Sequence, residues 1–211
     1  MTYKDLGFRI LYHCFVAIKL TDDLRPLIRD FYGEDKADGM LLYGYIDHEA
    51  GFTFAILGAG WFTDNGGFTI SFTSCSGNDN IHSFIRAERI AEYELFNMND
   101  NAEMLGAQYA KKLEMLNAYD EPIEMADTRY MEYIDHLRDS IYVDDIQVIL
   151  VKDGLKPEQV YVRLESIVDT DITGTLLNEP YQDFGFHEND KIPVFLDKDK
   201  KGRVIAFTVF E

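Results

Sequence analysis

Cysteine is scarce: Cys14 and Cys75 are the only two in 211 residues. Two thiols are too few for a disulfide framework, and they form no CxxC pair. They read as reduced thiols of a cytoplasmic protein, with a single bridge between them as the alternative. Cations are also few, 20 Lys+Arg against 38 Asp+Glu, leaving a formal net charge of −18. A polyanion gains no counterion release on meeting another polyanion, which argues against nucleic acid and anionic membrane surfaces as partners. No apolar run approaches the roughly 18 residues that span a bilayer. The run 10–20 contains His13 and leads into Thr21-Asp22 with no small-residue cleavage site, so it is not a signal segment.

What the chain has in quantity is apolar and aromatic material, 46% and 14%, enough to bury a core. Patterning implies an α+β fold in three parts, with no repeat or low-complexity linker between them. Residues 1–97 form an N-terminal α+β domain with an antiparallel sheet and a short helix. Phe8, Ile10, Tyr12, Cys14, Val16, Ile18 and Leu20 alternate, which predicts one long strand. Asp22 or Asp23 then caps a helix carrying Leu24, Leu27, Ile28 and Phe31, with Pro26 in its first turn and Gly33 at its end. Strands follow at Met40–Ile46, Phe52–Leu57 and Phe68–Thr73, the last after the turn Asp64-Asn65-Gly66-Gly67. Ile81–Phe96 fits either a helix or a strand.

Residues 98–140 read as a helical segment. Asp100 and Glu103 have capping-box spacing, and Leu105, Tyr109, Leu113 and Leu116 make an apolar stripe. Pro122 opens a second helix with Ile123, Tyr130, Ile134 and Leu137 on its inner face. Residues 141–211 read as a small all-β domain of five strands, a bent sheet or partly closed barrel, with Pro193 at an edge or strand start.

Reactive groups are poorly organised in the sequence. Five histidines (His13, His48, His82, His136 and His187) form no HxH, HExxH or Cys/His cluster, so no metal and no cofactor is expected. Gly58-Ala59-Gly60 lacks the third glycine of a nucleotide fingerprint. Asp197-Lys198-Asp199-Lys200-Lys201-Gly202 opens like a calcium loop, but Thr208 stands where the bidentate carboxylate belongs, so it reads as a charged hairpin turn. The catalytic candidates are weak. Cys75 sits at a strand end with His82 beyond it, the pattern of an activated thiol without a third group to orient the imidazole. Asp47-His48-Glu49 could supply an acid or base from a loop, although solvated turns have the same composition.

The last third resembles a known group. Val160-Tyr161-Val162-Arg163-Leu164, then Ile172-Thr173-Gly174-Thr175-Leu176-Leu177-Asn178-Glu179-Pro180, then Asp190-Lys191-Ile192-Pro193-Val194, are similar to the YegJ-like bacterial domain of unknown function. Leu177 alters the spacing of that group's Gly-x-Leu-x-Asn-x-Pro segment, Asn189 replaces its late glycine, and Tyr161 stands where tryptophan is commoner. The resemblance implies a bacterial protein, a fold and a toxin–immunity neighbourhood, but no catalytic residue. In residue terms, Gly174 allows tight bending or close backbone approach, Asn178 ends the strand, and Asn178, Glu179 and Tyr181 are a candidate binding surface.

The function expected is therefore a non-enzymatic acidic protein that recognises a basic protein partner, as an immunity protein or antitoxin does. The alternative is a hydrolase or small-molecule-binding protein with a site between the N- and C-terminal parts, using Tyr43, Tyr45, Trp61 and Phe62 as pocket walls.

Overall fold

Thr2 and Asp5 decide how the chain begins. The Thr2 hydroxyl accepts from the Asp5 amide at 3.3 Å, and the Asp5 carboxylate accepts from the Thr2 amide at 2.8 Å. This reciprocal box starts a helix, α1 (Tyr3–Leu11), kinked at Gly7 where φ is 71°. The long strand expected over 8–20 is thus corrected: only Phe15–Lys19 (β1) is extended. The alternation in that stretch misleads because Val16, Ala17 and Ile18 are all buried, so the strand has no solvent face to mark its period. His13, in the left-handed region at φ 57°, turns the chain between α1 and β1.

The structure is a computed structural model and describes residues 1–65, 67–70 and 83–210. They fall into two compact units, Met1–Tyr119 and Asp120–Glu211. The fold class is α+β, with an antiparallel sheet, short helices and a closed C-terminal barrel.

In the first unit the segment after β1 forms only a 3-10 helix, Arg25–Ile28, with Leu24 at its N-cap rather than an aspartate. Asp23 is occupied elsewhere, accepting from Thr21 Oγ1 at 2.5 Å and from the Tyr93 hydroxyl at 3.1 Å. The expected hairpin forms as β2 (Gly39–Asp47) and β3 (Gly51–Phe62), with Gly51 at φ 80° in the turn. β4 (Phe68–Ile70), β5 (Phe84–Arg86) and β6 (Leu95–Asn97) complete the sheet in the order β4-β3-β2-β1-β6, with β5 also on β3. The two-way reading of 81–96 resolves, over its described part, into these two strands and a 3-10 helix at Ala87–Ile90. β3 is buried over its first ten residues, so both sheet faces are covered. One face carries Phe15, Leu41, Tyr45 and Leu57 against Leu105 and Tyr109. These last two come from α2 (Ala102–Gln108), which gives way at Tyr109 to α3 (Ala110–Leu116). The Asp100–Glu103 box does not form. A 3-10 turn at Asn99–Asn101 moves the N-cap to Asn101, which makes no side-chain cap bond.

The helical segment 98–140 divides between the units. Its second half contains α4 (Ile123–Thr128), preceded by Pro122 at the N-cap, and a 3-10 helix at Glu132–Leu137. Ile134 is buried as expected, but Ile123 and Tyr130 point outward, 68% and 65% exposed. The expected stripe breaks because α4 ends at Thr128, so Tyr130 and Ile134 do not continue its helical period.

The second unit is a closed barrel of β7 (Asp145–Lys152), β8 (Glu158–Val168), β9 (Asp171–Leu176), β10 (Lys191–Lys198) and β11 (Val204–Phe210). Five alternating strands return the last parallel to the first, so β11 closes on β7 in parallel with Phe207 beside Ile149. Ile146, Val148, Val160, Val162 and Ile192 fill the interior. Gly174 pairs with Leu164 where β9 crosses β8 closely: a Cβ there would lie 2.4 Å from Val162 Cγ1 and 2.7 Å from the Arg163 carbonyl oxygen. Pro193 stands near the start of β10, before pairing with β11 begins at Phe195.

Candidate functional site

The β2–β3 turn brings Asp47 to two partners. One carboxylate oxygen accepts from the Glu49 and Ala50 amides at 3.2 and 3.1 Å; the other faces Arg86 Nη1 at 2.9 Å. That guanidinium nitrogen also donates to Thr53 Oγ1 at 2.5 Å, and the group lies over the Phe84 ring. Nearby, Tyr45 packs on Tyr119 with ring centroids 4.7 Å apart. Burial, then Tyr119, pushes the Tyr45 phenol above its ordinary value, so it stays protonated. With both oxygens of Asp47 engaged, the turn has the bonding of a structural lock between β3 and β5. Cys75 and His82 lie outside the described residues; Cys14 carries a free thiol whose sulfur accepts from Asn99 Nδ2 at 3.5 Å.

Tyr43, Tyr45, Trp61 and Phe62 do not line one pocket. Trp61 and Phe62 are neighbours on β3 and point to opposite faces, and the Phe62 ring packs between Phe68 and Phe96 at 4.9 and 4.7 Å. A cavity of about 210 Å³ opens elsewhere in this unit, against Leu41, Phe68, Ile70, Met98 and Leu105, with Thr69 and Asn101 as polar lining. Among the described residues of its lining there is no titratable side chain.

On the barrel, Asn178, Glu179 and Tyr181 differ in their duties. Asn178 Oδ1 accepts from the Tyr161 amide at 2.8 Å, tying the loop after β9 to β8. Glu179 binds His187 Nδ1 at 2.8 Å and the Glu188 amide at 2.9 Å. The His187 hydrogen bond, then the Glu188 amide, hold the Glu179 carboxyl below the usual range, and Glu179 raises the imidazole in return. Tyr181 is 98% exposed, Glu179 is exposed but engaged with His187, and Asn178 is half-buried. No local pattern signalled the partnership with His187, which is formed by loop folding rather than by helical or strand period.

Sequence reasoning also missed where the arginines go. Arg129 is buried, its guanidinium set bidentately on Asp144 at 3.1 and 2.9 Å, with Asp120 at 2.9 Å. Arg138 donates to the Val143 and Thr128 carbonyls at 2.7 and 2.5 Å and to Asp135 at 3.2 Å. Arg163 grips Asp145 at 2.7 and 3.1 Å. Burial pushes the Asp145 carboxyl up against the pull of Arg163, and that same hydrogen bond holds the Arg163 proton more tightly. These cations are spent internally. Between Lys112 and Lys152 the chain holds only Arg129 and Arg138 as cations, with side chains 1% and 2% exposed, while Glu121, Glu124, Asp127 and Glu132 face solvent.

Among the described residues no group of three or more His, Cys, Asp or Glu side chains is placed to hold a metal ion, and no helix is long and apolar enough to cross a membrane. Comparison with protein-family models, with curated proteins and with solved structures gives no match.

Proposed function

We propose that this chain is a non-enzymatic acidic binding protein that recognises a basic protein partner, in the manner of an immunity protein or antitoxin of the bacterial cytoplasm. The observation that carries this reading is the segregation of charge between Lys112 and Lys152: Arg129 and Arg138 are turned inward onto Asp144, Asp120 and Asp135, while Glu121, Glu124, Asp127 and Glu132 face solvent. An unneutralised anionic surface steers a cationic partner into encounter and repels other polyanions. The similarity of residues 160–194 to the YegJ-like group supports the immunity setting. The test is capture by the immobilised chain from lysate of its own host, at low and high salt, with each retained protein identified and its binding repeated in purified form. A basic protein retained at low salt, released at high salt and bound stoichiometrically when pure is the expected result; retention of no basic protein at low salt ends the reading.

A second reading, small-molecule binding, has one observation in its favour, the apolar cavity under Leu41 and Leu105. Its described lining suits an uncharged apolar ligand, and among the described residues it offers no acid, base or nucleophile for hydrolysis.

A further inference from the structure

The outer wall of the barrel holds a recess of about 400 Å³, within the size range of small-molecule sites. Strand register sets its floor. Ile149 of β7 pairs with Gln159 of β8 and with Phe207 of β11. Gln147 lies two residues before Ile149, and Ile205 two residues before Phe207, so all these side chains leave the same face of the sheet. His136 and Leu137, from the 3-10 helix at Glu132–Leu137, and Arg203, from the β10–β11 turn, complete the lining. His136 Nε2 donates to the Val204 carbonyl at 2.8 Å, which ties that helix to the start of β11. The polar groups of the recess keep much of their bonding capacity. Arg203 gives Nε and Nη2 to Asp199 at 3.0 and 2.9 Å, so three of its five N–H groups have no described partner. Gln147 donates to the Tyr161 hydroxyl at 3.3 Å, and among the described residues its amide oxygen and the whole Gln159 amide have no partner.

Charge sets this recess apart from the rest of the chain. Carboxylates outnumber Lys+Arg by 38 to 20 overall, yet the described lining contains no Asp or Glu. The adjoining turn, residues 197–203, holds Lys198, Lys200, Lys201 and Arg203 against Asp197 and Asp199. Asp199 is already engaged, accepting from the Lys201 and Arg203 amides at 2.8 and 2.9 Å besides the guanidinium. Asp197 stands opposite Ile205 in the β10–β11 register. From the helix side, Asp135 is taken by Arg138 at 3.2 Å, and Glu132 adds one exposed carboxylate. The balance around the recess stays positive with all of these counted, and a concave wall concentrates that field on what enters.

We propose that this recess binds a small organic acid, a monocarboxylate with an aliphatic or aryl body. The carboxylate takes the remaining N–H groups of Arg203, and the body lies on Leu137, Ile149 and Ile205. The amides of Gln147 and Gln159, which both donate and accept, read polar groups carried along that body. One guanidinium with part of its fork already on Asp199 balances a single negative charge, which favours a monoanion. The site is distinct from the apolar cavity of the first unit, and it stands whether or not the acidic surface has a basic partner.

The test titrates 3-phenylpropionate into the full isotope-labelled chain at neutral pH, followed by amide NMR. Acetate, which lacks the body, and 3-phenylpropanol, which lacks the charge, are the partial probes. Saturable shifts centred on residues 136–137, 147–149 and 203–206 are expected, with each partial probe bound about ten-fold or more weakly. Gln159→Glu places a carboxylate in the recess at a side chain that bonds nothing, and Arg203→Met removes the guanidinium. Lys191→Met, at the far end of β10, takes an exposed cation from the barrel outside the recess. Thermal melts followed by circular dichroism verify folding, and Gln159→Glu alone decides if Arg203→Met unsettles the turn. Both recess variants are expected to bind 3-phenylpropionate about ten-fold or more weakly, and the control within about three-fold of the native chain. Absence of saturable shifts up to about 10 mM overturns the proposal, as do shifts centred on other residues. So do an alcohol bound as tightly as the acid, undiminished binding by Gln159→Glu, and a loss in Lys191→Met equal to that in the recess variants.

Discussion

Arg129 and Asp144 form a bidentate ion pair in which each side chain is only 1% exposed. Removing one partner strands a charge in the interior. Arg129→Ala is therefore expected to cost about 3–5 kcal/mol, and Arg129→Met combined with Asp144→Leu much less, because no unpaired charge is left. Urea unfolding of the full chain followed by far-UV circular dichroism checks both. A single variant as stable as the native chain contradicts the pairing.

The β2–β3 turn gives a second prediction. Asp47→Ala removes the acceptor for two turn amides and for Arg86, and is expected to destabilise by about 1–3 kcal/mol. Trp61 is the sole tryptophan and lies on β3, so its fluorescence reports unfolding of the sheet concerned. An unshifted urea midpoint would mean that Asp47 is not a lock.

His187 and Glu179 make the pH prediction. The imidazole is raised by its carboxylate partner, so its contribution is complete below the ordinary value of about 6.5 and fades as pH climbs through the raised value. Glu179 is lowered, so its contribution is present above the ordinary value of about 4.3 and fades as pH falls through the lowered one. The pair thus operates between the lowered carboxyl and the raised imidazole. In an NMR titration the His187 midpoint should lie above 6.5 and fall towards it in Glu179→Gln. Identical midpoints in the two proteins would refute the contact.

Two glycines should respond oppositely to alanine. At Gly174 the new methyl meets the Arg163 carbonyl and Val162, so Gly174→Ala should cost about 1–3 kcal/mol through overpacking. At Gly106, inside α2, no described residue beyond the helix's own backbone lies within 4 Å of the added carbon, so Gly106→Ala should stabilise by about 0.5–1 kcal/mol. Denaturant midpoints moving in the same direction would contradict these packing assignments.

The residues show why some of this could be read in advance. The barrel strands were visible because Val160, Val162 and Leu164 sit in the wall of a closed sheet, where one face is interior and period two survives. The β2–β3 hairpin was visible through Asp47 and Gly51, which make its turn locally. β1 was anticipated as the end of a longer strand whose start is in fact helical, and α1 was hidden because its signal was two residues, Thr2 and Asp5, at the edge of a misleading pattern. The outward turn of Ile123 depended on where α4 stops. The candidate site was least visible: Arg129 with Asp144, and His187 with Glu179, are brought together by tertiary folding, and neither pair has a spacing that a motif could record.

Because the parallel pairing of β11 with β7 leaves the second unit without a free strand, no foreign chain can extend it by lateral hydrogen bonding. Among the described residues, the sheet edges open to strand donation from another protein lie in the first unit, at β6 and at β4 and β5. Recognition by the barrel therefore has to proceed through side chains and loops.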